Sequence, residues 1–137
     1  MKSSLECNFK LINFACFNGK LKLCKIRYKT EKDCWGSLDG FGVKNKELVR
    51  LQTPIINIKR NLSLRHTLMV LGHEMIHYSD WVKRSGMRYT HVMHTERFMA
   101  KESVVMKKMS RLYNVPMTPL SLNKYRKDIP EKAERDK

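Results

Sequence analysis

His73-Glu74-Met75-Ile76-His77 is the segment whose residue types and spacing are best suited to chemistry. Histidines at i and i+4 stand one above the other on a helix face. Both imidazoles can therefore reach one metal, at the roughly 2.0–2.1 Å typical of zinc–nitrogen bonds. Glu74 is turned by about 100° from His73. A carboxylate there can address a water on the metal without displacing it. Zinc would lower the pKa of that water and Glu74 would take its proton as general base.

Catalytic zinc usually takes three protein ligands and keeps an open position. His66 is two turns before His73, about 10.5 Å away, which is too far for a shared ion. His91 and His94 follow a helix break at Gly86, where the chain can fold back. Asp80 is one turn after His77; it suits the outer role of accepting a ligand's second N–H better than ligation, but reads first as an exposed helix carboxylate. Trp81 could wall the cleft or simply fill the core. Tyr78 and Tyr89 are candidate oxyanion donors that the sequence does not rank.

An apolar, uninterrupted helix must carry this motif. Ser63 is a suitable N-cap, and Leu64, Leu68, Leu71, Met75 and Val82 form a stripe at helical spacing. Ser85-Gly86 supplies the stop. Gly72 inside the helix points to close packing beside the site. A first helix is expected over 3–17, with Ser3 and Glu6 as capping box and Asn18-Gly19 as left-handed stop. Residues 21–30 alternate: Cys24, Ile26 and Tyr28 point one way, Lys25, Arg27 and Lys29 the other. Trp35–Leu38 reads as a short strand closed by an Asp39-Gly40 turn, and Ile55–Ile58 as a third strand after Pro54. A last helix is expected from about Thr95 to Tyr113, packing through Phe98, Val105, Met109 and Leu112.

The sequence around the motif resembles the SprT-like zinc metalloproteases, the Spartan-type family. Members carry the same helix motif, followed by a third histidine in a His-Gly-x-x-aromatic segment. His94-Thr95-Glu96-Arg97-Phe98 matches the histidine and the aromatic; His91 has Thr95 at that offset and does not. Upstream, Asn13 to Leu21 resembles the end of the family's first helix. Ile26-Arg27-Tyr28 and Trp35-Gly36 resemble its first hairpin, and Ile55–Asn57 the strand before the active helix. The resemblance covers about residues 8–100. It implies zinc held by His73, His77 and His94, with Glu74 catalytic, and peptide-bond hydrolysis, in the family's manner on DNA-associated proteins. It departs at Thr95, where the family has Gly, and the zinc ribbon of many relatives is missing.

Charge and composition set the frame. The chain carries 28 basic and 13 acidic residues, net +15. Residues 1–62 hold 13 basic and 5 acidic, 63–100 hold 5 and 3, and 101–137 hold 10 and 5. Basic flanks around a near-neutral centre favour a polyanionic partner, with nucleic acid first and Lys25, Arg27 and Lys29 as its contact row. No apolar run approaches the roughly 18 residues of a membrane span, and the N-terminus lacks signal-peptide features. An intracellular location is expected, in cytoplasm or nucleoid. Cys7, Cys16, Cys24 and Cys34 contain no Cys-x-x-Cys pair, which argues against a zinc ribbon and for buried thiols in a reducing compartment.

The expected architecture is α+β: a minimal zincin-type domain over 1–120, its small, mainly antiparallel sheet packed on the active-site helix. Residues 121–137, with 10 charged among 17, read as a flexible tail. The competing function is a non-enzymatic nucleic-acid-binding or regulatory protein with structural zinc, which would have no need of Glu74 as a base.

Overall fold

The computed structural model describes residues 2–30, 34–88 and 96–121. It is an α+β fold of three helices and a three-stranded mixed sheet. Helix α1 spans Lys2–Phe17, strands β1, β2 and β3 span Lys25–Lys29, Gly36–Lys44 and Glu47–Lys59, and helices α2 and α3 span Leu64–Lys83 and Glu96–Tyr113. No helix among the described residues is long and apolar enough to cross a membrane.

Helix α1 buries Leu5, Phe9 and Ile12, the residues its periodicity marks. It starts at Lys2, so Ser3 lies within the first turn rather than before it as a cap. Asn18 and Gly19 both take positive φ, and the Gly19 N–H donates to the Asn13 carbonyl at 2.9 Å. The Asn13 amide then pairs with both backbone groups of Leu21, at 2.8 and 3.1 Å, and fixes the exit of the chain toward β1.

The sheet order is β1-β3-β2, with β1 parallel and β2 antiparallel to β3. The expected first hairpin is therefore absent: β1 and β2 lie on opposite sides of β3. Asp39-Gly40 is not a terminating turn either, because β2 runs through it to Lys44. The ladder register jumps there, from Asp39↔Ile55 to Phe41↔Arg50. The irregularity on β3 accommodates Pro54, which has no N–H to give a ladder. Gly40 has φ +110, and a Cβ on it would come within 2.8 Å of Pro54 Cα, so only glycine fits. The hairpin is β2–β3, turned by Asn45 and Lys46 at φ 54 and 66, the left-handed pair of a two-residue loop.

Helix α2 is sandwiched. A Cβ on Gly36 of β2 would sit 2.5 Å from Val70 Cγ1, so sheet and helix touch closely there; on another face of α2, a Cβ on Gly72 would meet Met109 Sδ of α3 at 2.6 Å. Ser63 caps the helix, accepting from the His66 N–H at 3.1 Å. After its C-cap at Arg84, the Gly86 N–H donates to Leu48 O at 2.7 Å and the Leu48 N–H to Met87 O at 2.9 Å, which ties the end of the helix to β3. Leu68, Leu71 and Met75 are core, whereas Leu64 and Val82 are exposed. On α3, Phe98, Val105 and Met109 are buried, whereas Leu112 is 39% exposed. Cys24 is buried and Cys16 partly so, but Cys7 and Cys34 are exposed, against the expectation of uniform burial.

Candidate metal centre

The buried length of α2 runs from Thr67 to Ser79 and includes His73, Glu74 and His77. Three polar side chains on consecutive turns of a buried helix need partners, because desolvated polar groups are costly. The His73 and His77 rings meet edge to face with centroids 4.9 Å apart. Phe98 from α3 stacks on His77 at 4.3 Å and meets His73 at 5.1 Å, and Trp81 tilts against His77 at 5.4 Å. The aromatic four residues after His94 thus packs directly on the two histidines. Trp81 is partly buried and also meets Phe41 of β2 at 5.7 Å, so it combines wall and packing roles.

Glu102 of α3 has no exposed surface, and its carboxylate lies 2.5 Å from His73 Nδ1. The same carboxylate accepts from the backbone N–H groups of Leu120 and Ser121, both at 3.1 Å, and from the Ser121 hydroxyl. Burial alone would raise its pKa. The hydrogen bond and charge of His73, with the Ser121 donors, outweigh that and hold the carboxyl below its ordinary value. An ionised carboxylate only accepts, so Nδ1 carries a proton, and in the neutral ring Nε2 is left with the lone pair. This is the arrangement that orients a metal-ligating histidine and raises its basicity.

Asp80, a candidate for that outer role, pairs with Arg84 at 3.4 Å, as a helix-surface carboxylate does. Glu102 is legible in retrospect: it occupies the apolar stripe Phe98–Glu102–Val105–Met109, where a carboxylate requires a buried partner. Gly36 is the other residue missed as part of the site. A Cβ there would lie 3.3 Å from Glu74 Oε2 and 3.0 Å from Asn57 O, so its lack of a side chain gives the carboxylate its place against the sheet.

Tyr78 is not arranged as an oxyanion donor, since its hydroxyl donates to Lys22 O at 3.0 Å. His66 lies apart from the pair, against Trp35 and Ser63. Among the described residues no group of three His, Cys, Asp or Glu is placed to hold a metal. His94, the third ligand implied by the resemblance, lies outside the described residues, as do His91, Tyr89 and Thr95. The expected boundary at 120/121 falls beside Ser121; residues 122–137 are also outside.

The basic row of β1 is not uniform. Lys25 and Lys29 are exposed, but Arg27 is half-buried and its Nε donates to Asn57 Oδ1 at 2.6 Å. Asn57, fully buried in the central strand, donates to Ser37 Oγ at 3.0 Å and Asp39 Oδ2 at 2.8 Å, with the Arg27 guanidinium 3.9 Å from Asp39. Arg27 is thereby tied into the sheet. The lysines flank it on an outer strand, where charge also discourages pairing with another chain.

The donor set fits a zinc ion: two imidazoles at helical spacing, one already oriented by a buried carboxylate, in an aromatic wall. No family model matches the sequence, and neither a curated protein nor a solved structure matches the chain.

Proposed function

We propose that the protein is a zinc-dependent metallopeptidase of the SprT-like kind, acting on polypeptides and, by the family resemblance, on proteins associated with DNA. The observation that carries the reading is the His73–Glu102 contact. A buried carboxylate on one helix fixes the ring of a histidine whose i+4 partner faces it from the next turn. His73 and His77, with His94, would hold the ion. When bound, zinc supplies Lewis acidity toward a peptide carbonyl and makes water acidic enough to ionise near neutrality.

The chain's own residues do the rest. Glu102 holds the proton at His73 Nδ1, which keeps Nε2 as the ligating nitrogen. Glu74, between the histidines in sequence and set against the sheet at Gly36, takes a proton from the attacking water and delivers it to the leaving amine nitrogen. Phe98 and Trp81 keep bulk water from the imidazoles. Lys25 and Lys29, and the wider +15 excess, would bring the protein to nucleic acid through phosphate contacts.

The test is cleavage of an unfolded protein substrate, with and without DNA, by the zinc-loaded wild type and by Glu74→Gln. The wild type should cut and the variant should not. Equal turnover by both would remove Glu74 from the mechanism. Absence of cleavage by either, with salt-sensitive nucleic-acid binding, would favour a basic nucleic-acid-binding protein with structural zinc, a reading to which the charge excess also lends support.

A further inference from the structure

Beside the two histidines, α2 and α3 enclose a cleft of about 570 Å³ whose lining includes Ile76, Lys83, Arg84, Arg97, Phe98 and Lys101. It adjoins the candidate metal centre: Phe98 forms its wall on one side and stacks on His77 on the other. Four basic residues thus border one concave space, with the Lys101 ammonium lying toward its rim over the Phe17 ring of α1, 5.4 Å from the centroid. The lone carboxylate in the lining, Asp80, already pairs with Arg84. The concentration of positive charge shows in Lys101: burial first, then the charges of Lys83, Lys108 and Lys20, lower the pKa of its ammonium. An anionic occupant would relieve that repulsion.

We propose that this cleft is a specificity subsite that receives an acidic side chain, glutamate or aspartate, of the polypeptide substrate. The inference rests on the peptidase reading and adds a substrate class to it. Shape decides between this and a nucleic-acid phosphate backbone. The basic groups line a compact cleft that also presents Ile76, Met87 and Phe98, so a methylene stem with a terminal carboxylate matches both kinds of lining. A polyanion backbone is tracked instead by an extended basic groove that spans several nucleotides. Guanidinium groups from Arg84 and Arg97 can form paired hydrogen bonds with a carboxylate, and the exposed lysines add salt-sensitive attraction.

The experiment uses the full-length, zinc-loaded Glu74→Gln protein, so that binding is measured without turnover. The probes are two fluorescein-labelled peptides that differ only by glutamate or glutamine at adjacent central positions. Anisotropy at low salt should show the acidic peptide bound about tenfold tighter. The preference should collapse in a further Lys83→Gln/Lys101→Gln variant whose circular dichroism and melting temperature are unchanged. Arg97→Gln, at an exposed position, repeats the test independently. Equal affinity for both peptides, or a preference that survives these substitutions, would overturn the proposal. So would a single-stranded oligonucleotide that binds tighter than the acidic peptide, displaces it and weakens with the same substitutions, since the cleft would then be a phosphate site. Failure of the wild type to cleave would overturn the peptidase reading alone, because the binding preference is read in a protein that does not turn over.

Discussion

Two polar clusters, one anchored on buried Asn57 and the other on buried Glu102, lie in different parts of this fold, and they differ in what they leave to explain. In the sheet, Asn57 gathers Arg27, Ser37 and Asp39 into one row across three strands. Each member's role is accounted for by another, and the row is a product of strand register. Between α2 and α3, Glu102 gathers His73, Leu120 and Ser121 from distant parts of the chain. Through His73 that second cluster joins a buried helix that also carries Glu74 and His77, an arrangement that packing alone does not require. A network that closes on itself specifies a fold. One that orients a ring nitrogen is what the proposed metal site would need. The contrast makes the sheet cluster the natural control for the helix cluster.

The largest effect should come from Glu74→Gln, which keeps the shape but cannot take the proton. Cleavage should fall by at least about 10²-fold with zinc content unchanged. Glu102→Gln comes next. It should weaken zinc affinity by about 10- to 100-fold, read by chelator competition. Asn57→Ala should behave oppositely to both. It strips partners from Arg27, Ser37 and Asp39 and should cost about 1–3 kcal/mol in urea unfolding, while zinc affinity holds. A matching loss of zinc in Asn57→Ala would erase the distinction between the clusters. Gly36→Ala sharpens it, because its Cβ would press on both Val70 and Glu74. Activity should drop by more than the loss of stability explains.

Much of α2 was legible. Ser63, the apolar run and the stop at Gly86 are local signals, and each does locally what its chemistry suggests. The His73–His77 geometry follows from helical periodicity alone. The sheet was less legible, because its decisive facts are non-local. Gly40 looks like a turn residue, but it serves a bulge opposite Pro54. Asn45-Lys46 turns the hairpin without the glycine that usually announces such a loop. The parallel pairing of β1 with β3 depends on which strands meet, and alternation within β1 is silent on that. Asp80, near in sequence, suggests itself as an outer acceptor but reads first as an exposed helix carboxylate, and Glu102 is not among the residues the spacing singles out. The fold brings in Glu102 from 29 residues beyond His73.

The smallest expected effect concerns Cys24, whose thiol is pushed up by burial from its ordinary 9.0 to about 11. The unfolded chain therefore ionises first. The stability this thiol contributes should be intact below pH 9.0 and decline as pH rises toward about 11. Urea unfolding across that window should show a shallower decline in Cys24→Ala than in wild type. Identical slopes would mean that other groups govern the alkaline limb.

Zinc stoichiometry bears most directly on the central claim, that the helix pair is built around a metal. Elemental analysis of the purified protein should find one zinc per chain in the wild type and in Glu74→Gln, and none in His73→Ala, His77→Ala or His94→Ala. Asn57→Ala should retain its zinc. A wild type that binds no zinc from excess metal after purification, or a His73→Ala protein that retains it, would contradict the account.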